Sequence, residues 1–259
     1  MRVIALTNQK GGVGKTTTTR NLARAGQQLG RRVLVVDADP QGNLTDALGA
    51  EDLPADVAGL ADALSSRSAA SIADVIVPSI WEGVDLVPAG GDVLENVRDE
   101  LVVAGAGRES SLRRGLQPVL EQYDIVLIDC RPALDQLTLN ALTAADVAAI
   151  VTNPDLFSAN GIAKLRLTIE AVRDHYNPKL RIGGVIVNHH EAATTLQTRH
   201  WLDELAGAGL PLLDPAIPRH TWIGAANAQG VALDELGPHG QAVGEIYAKH
   251  LTTLMGEQA

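Results

Sequence analysis

The run Asn8-Gln9-Lys10-Gly11-Gly12-Val13-Gly14-Lys15-Thr16-Thr17 carries the residue types needed to hold a phosphate chain. Glycines at 11, 12 and 14 let the backbone curl and aim its N–H groups inward without Cβ clashes. Lys15 supplies a full positive charge for the β- and γ-phosphates, and the Thr16 hydroxyl is suited to Mg²⁺. Against the general pattern G-x-x-x-x-G-K-[ST], the first glycine is replaced by Gln9, and a second lysine, Lys10, lies inside the loop. Lys10 reads either as one more surface lysine or, in a phosphate cradle, as a cation facing polyanion. Two further carboxylate runs stand out. Asp37-Ala38-Asp39-Pro40-Gln41-Gly42-Asn43-Leu44-Thr45 can bind Mg²⁺ through water or position an attacking water, although its Asp, Pro, Gly and Asn would also suit a plain turn. Tyr123-Asp124-Ile125-Val126-Leu127-Ile128-Asp129 is an apolar run ending in a carboxylate, the Walker B pattern, so Asp129 is a candidate to bind Mg²⁺ through a water.

These groups need a scaffold that brings them to one place, and the hydrophobic pattern supplies it. Val3-Ile4-Ala5-Leu6 reads as a buried strand entering the glycine loop, and Thr16 to Leu29 as a helix leaving it, with Leu22, Ala25 and Leu29 on one side and Gly30 at its end. The helix N-terminus adds partial positive charge where phosphate would sit. Val33-Leu34-Val35-Val36-Asp37 is a continuous apolar run, as expected of a strand buried on both faces. Strand, helix and strand make a right-handed parallel βαβ unit, whose ligands gather at the carboxyl ends of the strands. Further strands are expected at Val84 to Ala89, Tyr123 to Asp129, Asp146 to Thr152, Arg181 to Asn188 and Leu210 to Leu213. Helices are expected at Gly59 to Ser65, Ala70 to Ile76, Asp92 to Val103, Ser110 to Gln122, Asp135 to Ala145, Ser158 to Tyr176, Thr194 to Ala206 and Gly240 to Met255. The fold class is therefore α/β: a three-layer, mostly parallel sheet with helices on both faces, forming a single domain over residues 1–259.

Bulk properties narrow the function classes. With 46% apolar and only 3% aromatic residues, the core must be built from Val, Leu, Ile and Ala. One cysteine, Cys130, excludes an internal disulfide framework, fits a reducing compartment and cannot ligate an iron–sulfur cluster. The N-terminus runs straight into a strand, and no stretch approaches the roughly 18 apolar residues of a membrane span, so a cytoplasmic protein is expected. The net charge of −10 argues mildly against tight non-specific DNA binding. His189-His190-Glu191, with His200 beyond, matches no standard metal signature.

Lys-Gly-Gly-Val-Gly-Lys-Thr-Thr at 10–17 resembles the deviant Walker A loop of the ParA/MinD family of ATPases, and the similarity continues through Asp37 to Thr45, Pro88-Ala89, Asp129 and Ile217-Pro218-Arg219. The resemblance implies ATP and Mg²⁺ as ligands, with Gly11, Gly12, Val13, Gly14, Lys15, Thr16 and Thr17 around the phosphates. It implies that Lys10 reaches across a nucleotide-sandwich homodimer, that Asp39 positions or activates the hydrolytic water, and that Asp37 lies nearer the metal shell with Thr16 and Asp129. Gln41 to Thr45 would be a switch responding to γ-phosphate. Asn188 would read adenine, and the backbone of Pro218 and Arg219 would flank the base; simple turn roles are the alternative. The family commonly has Cys-Pro-Pro where this chain has Cys130-Arg131-Pro132. Arg108, Arg113 and Arg114 are interface candidates on the resemblance and a solvated face otherwise.

The output implied is partition of a plasmid, chromosome or phage replicon. Hydrolysis would be slow and accelerated by a centromere-binding ParB-type partner, on DNA bound non-specifically at the nucleoid. Here the sequence departs from the family. His220 to Ala259 holds one Lys/Arg, Lys249, and Trp222 stands where an arginine is expected. The remaining cations are Lys164, Arg166, Arg173, Lys179, Arg181, Arg199 and Arg219, so only weak, salt-sensitive DNA binding is expected. Other outputs on the same scaffold are positioning of another cargo, a MinD-like membrane role and an ATP-coupled ligase. The tail Leu251 to Ala259 is neither basic nor long enough for a membrane helix, and no extra acid- or amine-binding pocket has a signature.

Overall fold

The computed structural model describes residues 1–51, 53–54, 56–154, 159–188, 196–207 and 209–257. Seven strands form one sheet: β1 (Arg2–Thr7), β2 (Val33–Ala38), β3 (Val77–Pro78), β4 (Val84–Val87), β5 (Ile125–Cys130), β6 (Val147–Thr152) and β7 (Arg181–Val187). Their order is β3-β4-β2-β5-β1-β6-β7, parallel except for β3, which pairs antiparallel with β4. The helices are α1 (Lys15–Gln28), α2 (Asn43–Leu48), α3 (Leu60–Leu64), α4 (Asp92–Val103), α5 (Ser111–Leu116), α6 (Gln136–Ala144), α7 (Ala159–His175), α8 (Leu196–Gly207), α9 (Thr221–Ala228) and α10 (Pro238–Met255).

Strand alternation divides the core in two. Val3, Ala5, Leu34, Val36, Val126 and Ile128 face one layer, packed by Leu94 and Leu101 of α4, Leu116 of α5, Leu142 of α6 and Ile169 of α7. Their neighbours Ile4, Leu6, Val33, Val35, Ile125 and Leu127 face the other, packed by Leu22 and Ala25 of α1, Leu44 of α2 and Val243, Tyr247 and Leu251 of α10. Burial on both faces is what the unbroken apolar runs required.

Several local expectations change. The segment expected as one helix over Ser110 to Gln122 is broken: α5 ends at Leu116, just before Pro118, which has no N–H to continue the ladder, and 3₁₀ turns at Arg108–Ser110 and Leu120–Gln122 flank it. Leu29 lies past the end of α1 and is half-exposed rather than packed. Leu210 to Leu213 contributes one parallel bridge, Val185 to Leu212, instead of a strand. The elements β3, α2 and α9 add to those expected. The sites of His189, His190 and Glu191, and the side chains of Arg199 and His200, lie outside the described residues.

Candidate nucleotide site

Parallel register aligns the strand ends. Asp37 pairs with Asp129 across β2 and β5, and Leu6, just before the glycine loop, pairs with Asp129 across β1 and β5. The loop between β1 and α1 is thus set beside two carboxylate-bearing strand ends. Gly12 and Gly14 take left-handed φ values of 72° and 88°, open to glycine at little cost. At Gly14 a Cβ would also lie 2.6 Å from the Asn188 amide nitrogen.

Three asparagines tie the loop to the sheet. Asn8 Nδ2 donates to the Val151 carbonyl at 2.7 Å, while its Oδ1 accepts from the Lys10 N–H at 3.1 Å. Asn153 Nδ2 donates to the Gly12 carbonyl at 3.5 Å. Asn188, directly after β7, donates from Nδ2 to the Val13 carbonyl at 2.9 Å and to Thr18 Oγ1 at 3.0 Å. The amide nitrogen expected to read a base is therefore engaged by the loop. Its Oδ1 is buried without a hydrogen-bond partner among the described residues. Pro218 and Arg219 follow Ile217, whose N–H donates to the Val187 carbonyl at 2.8 Å, so they lie at the same strand end as Asn188.

The two lysines are in opposite settings. Lys15 is 7% exposed, and its Nζ donates to the Lys10 carbonyl at 3.2 Å. Burial lowers its pKa, opposed by the negative charges of Asp129 and Asp39. The Lys10 side chain is exposed.

Asp129 is 1% exposed and accepts from Thr16 Oγ1 at 2.6 Å and from Thr19 Oγ1 at 3.3 Å. Burial first, and then the charge of Asp37, raises its pKa to about 7, against the opposing Thr16 bond and Lys15 charge. Burial likewise raises Asp37 to about 6 despite its bonds to Thr45. Asp37 Oδ1 accepts from the Asp39 N–H at 3.2 Å; its Oδ2 accepts from the Thr45 N–H at 2.8 Å and Thr45 Oγ1 at 2.7 Å. Both oxygens expected near a metal are held by the chain's own donors. Asp39 is 9% exposed, and its Oδ1 accepts from the Gln41 N–H at 3.1 Å. Cys130 is fully buried beside these carboxylates, which pushes its thiol pKa up and makes it a poor nucleophile.

Arg131, in place of the usual proline, turns to α4. Its Nη1 lies 2.7 Å from Glu95 and 3.0 Å from Asp135. The next residue, Pro132, stands 4.0 Å from where a Cβ on Gly11 would be, so it walls the glycine loop. Of the interface candidates, Arg108 bonds the carbonyls of Val102 and Ala104, and Arg114 that of Gly107 at 2.8 Å. Both are folded onto their own loop.

Arg20 and Trp81 belong to no motif of the sequence. Arg20 is fully buried, its guanidinium 4.6 Å from the centre of the Trp81 ring and bonded to the Val231 carbonyl at 3.1 Å. Burial lowers its pKa to about 10. These contacts join α1 to segments far along the chain, and nothing local in the sequence signals them.

A family model described as an AAA domain matches residues 1–182. Over 232 residues the chain is 39% identical to the chromosome partitioning protein ParA of Caulobacter vibrioides, covering 89% of this chain and 85% of that one. The chain belongs to the ParA/MinD family of ATPases. It is also 44% identical over 193 residues to an uncharacterized protein of Mycobacterium tuberculosis; the match covers 74% of this chain and spans 59% of that protein's length. Among solved structures, a cobyrinic acid a,c-diamide synthase from Mycobacterium smegmatis with bound ATP analogue and magnesium superposes with a TM-score of 0.77 at 35% identity, covering 93% of this chain and 96% of that one. Among the described residues no helix is long and apolar enough to cross a membrane.

Proposed function

We propose that this chain is an ATP-dependent dimerising switch that hydrolyses Mg-ATP during DNA partition. The observation that carries the reading is the contrast between its two loop lysines: Lys15 buried beside Asp129, and Lys10 exposed on the same loop. A nucleotide site within one chain needs Lys15. An exposed second lysine on the loop is suited to the phosphates of a nucleotide bound by another copy.

The donor set fits Mg²⁺, a hard cation that takes oxygen ligands and shares them with nucleotide phosphates. The Thr16 hydroxyl and the Asp129 carboxylate, already in contact, would hold it. The chemistry that Mg²⁺ supplies when bound is neutralisation of β- and γ-phosphate charge. Asp37 lies nearer the metal shell in this proposal and also organises the segment beyond β2, through its bonds from Asp39 and Thr45. The loop from Gly11 to Thr17 binds the phosphates through backbone N–H groups, and Lys15 adds the charge that stabilises the transferring phosphoryl group. Asp39, fixed through one oxygen by Gln41, presents the other to a water attacking the γ-phosphate. Loss of γ-phosphate then releases the segment from Gln41 to Thr45, and the dimer dissociates. Asn188 Oδ1 remains as an acceptor for an adenine amino group, with the backbone of Pro218 and Arg219 alongside.

A ParB-type centromere-binding partner that accelerates hydrolysis, and weak binding of DNA at the nucleoid, complete the proposal. A second reading, positioning of another cargo, is favoured by the single cation between His220 and Ala259. Sedimentation of Lys10→Ala tests the switch: the variant should bind Mg-ADP but stay monomeric with Mg-ATP. A Lys10→Ala protein that dimerises like wild type would refute the sandwich role. Gel shifts with ATP at low salt separate the two readings, since a dimer that binds no DNA favours the other cargo.

A further inference from the structure

The segment from Asp37 to Thr45 is a ring of short-range hydrogen bonds. The Asp39 N–H donates to Asp37 Oδ1, the Gly42 N–H to the Asp39 carbonyl at 2.9 Å, and the Thr45 N–H back to Asp37 Oδ2. One bond connects this ring to a distant strand. Thr45 Oγ1, while donating to Asp37, accepts from the Ala89 N–H at 3.0 Å, just beyond the end of β4. The β4 turn is itself anchored on its other side, where the Leu60 N–H donates to the Pro88 carbonyl at 2.7 Å and the Ala61 N–H to the Ala89 carbonyl at 3.2 Å. Thr45 is thus the junction at which β2, α2 and the β4 turn meet.

Space lies beside this junction. A cavity of about 770 Å³ is lined by Gln41, Thr45, Ala47, Gly49, Pro88 and Trp81 among others. Volume open on that side leaves α2 room to move away from Asp37, with Leu44 and Leu48 anchoring it to the core. The first turn is held by the buried Leu44 side chain and by the hydroxyl and amide of Thr45.

We propose that Thr45 is a positioning residue for hydrolysis. Its hydroxyl latches the start of α2 to both Asp37 and Ala89, and through Asp37 fixes the backbone of Asp39. The assignment rests on the reading of Asp39 as the residue that orients water. With the latch closed, Asp39 is held by three bonds within the ring. With it open, Asp37 loses a donor, the Ala89 N–H loses its acceptor, and the Asp39 carboxylate samples orientations that do not address the phosphate. Nucleotide binding depends on the glycine loop and is untouched, so the latch affects the chemical step.

Thr45→Val keeps the shape and removes the hydroxyl; Thr45→Ser keeps the hydroxyl and loses a methyl group. With the full chain and Mg-ATP, Thr45→Val should lose about tenfold in kcat while KM stays within about twofold, and Thr45→Ser should remain within about twofold of wild type. Wild-type kcat in Thr45→Val, or a Thr45→Ser protein as slow as Thr45→Val, would overturn the proposal. Hydrogen exchange on the nucleotide-free chain supplies the second arm. Thr45→Val should speed exchange about tenfold or more at residues 43–48 and 88–91, without change along 15–28. Unchanged exchange at both segments would overturn the latch by itself. Should the wild-type chain hydrolyse no ATP, the proposed function fails, and the exchange measurement still decides the latch.

Discussion

The inner and outer halves of the candidate nucleotide site are built differently. Lys15, Thr16, Asp129 and Asp37 are buried or nearly so, and each has a partner in its own chain. Lys10 is exposed, and Asp39 has one carboxylate oxygen engaged by Gln41. Where groups already satisfy one another, one chain suffices to shape a site for phosphate. Where a charge faces outward, as at Lys10, function awaits a second body: nucleotide, water or another subunit.

Lys15→Ala gives the sharpest test of the inner half. Removing the buried cation should weaken Mg-ADP binding by about 100-fold or more in calorimetry, because the phosphates then meet Asp129 and Asp39 without compensation. Retained affinity would dissolve the distinction between the halves. Asp39→Ala tests the outer half. It should slow ATP hydrolysis by about 100-fold with nucleotide affinity preserved, so that light scattering finds the dimer persisting after Mg-ATP is added.

A pH experiment sharpens the inner half further. In the folded, nucleotide-free chain the Asp129 carboxyl titrates at about 7, above its unfolded value. The folded state therefore binds more protons than the unfolded state between these pKa values. The stability this contributes is fully present below the unfolded pKa and is lost as pH rises through about 7. Asp37, raised to about 6, acts in the same direction. Asp129→Asn, without nucleotide or metal, should melt about 3 °C or more above wild type at pH 8, and the gap should shrink at pH 5. A gap that is independent of pH would show that Asp129 is not the buried charge responsible. Arg131→Ala should have the smallest effect. Its ion pairs are partly exposed, and such pairs contribute about 1 kcal/mol or less, a shift in melting temperature of about 2–4 °C at this chain length. A collapse of nucleotide binding in Arg131→Ala would instead place α4 inside the machinery of the site.

Much of the inner half was legible in the sequence because its parts are local. The glycine loop, the Asp37-to-Thr45 run and the Walker B strand each declare themselves within about ten residues, and a parallel sheet delivers their ends to one edge. What escaped is non-local. Thr45 to Ala89, Arg131 to Glu95 and Arg20 to Trp81 pair residues tens of positions apart, and no periodicity encodes such meetings. Asn188 was recognised as a strand-end amide, yet the partner of its nitrogen, the glycine loop, is visible only in three dimensions. Helix α9 was missed because Thr221 to Ala228 is rich in Ala and Gly and carries little amphipathic contrast.

The Asn188 bond has a consequence for how the protein is made. The glycine loop is synthesised before the amide that clasps it, for Asn188 follows Val13 and Thr18 by 175 and 170 residues. Until β7 joins the sheet, the loop has its glycines and lysines but lacks this clasp. Nascent chains halted before Asn188 would present an incomplete cradle, so nucleotide would reward a chain only after β7 had been translated and had joined the sheet. The earlier motif is thereby placed under the control of a later one.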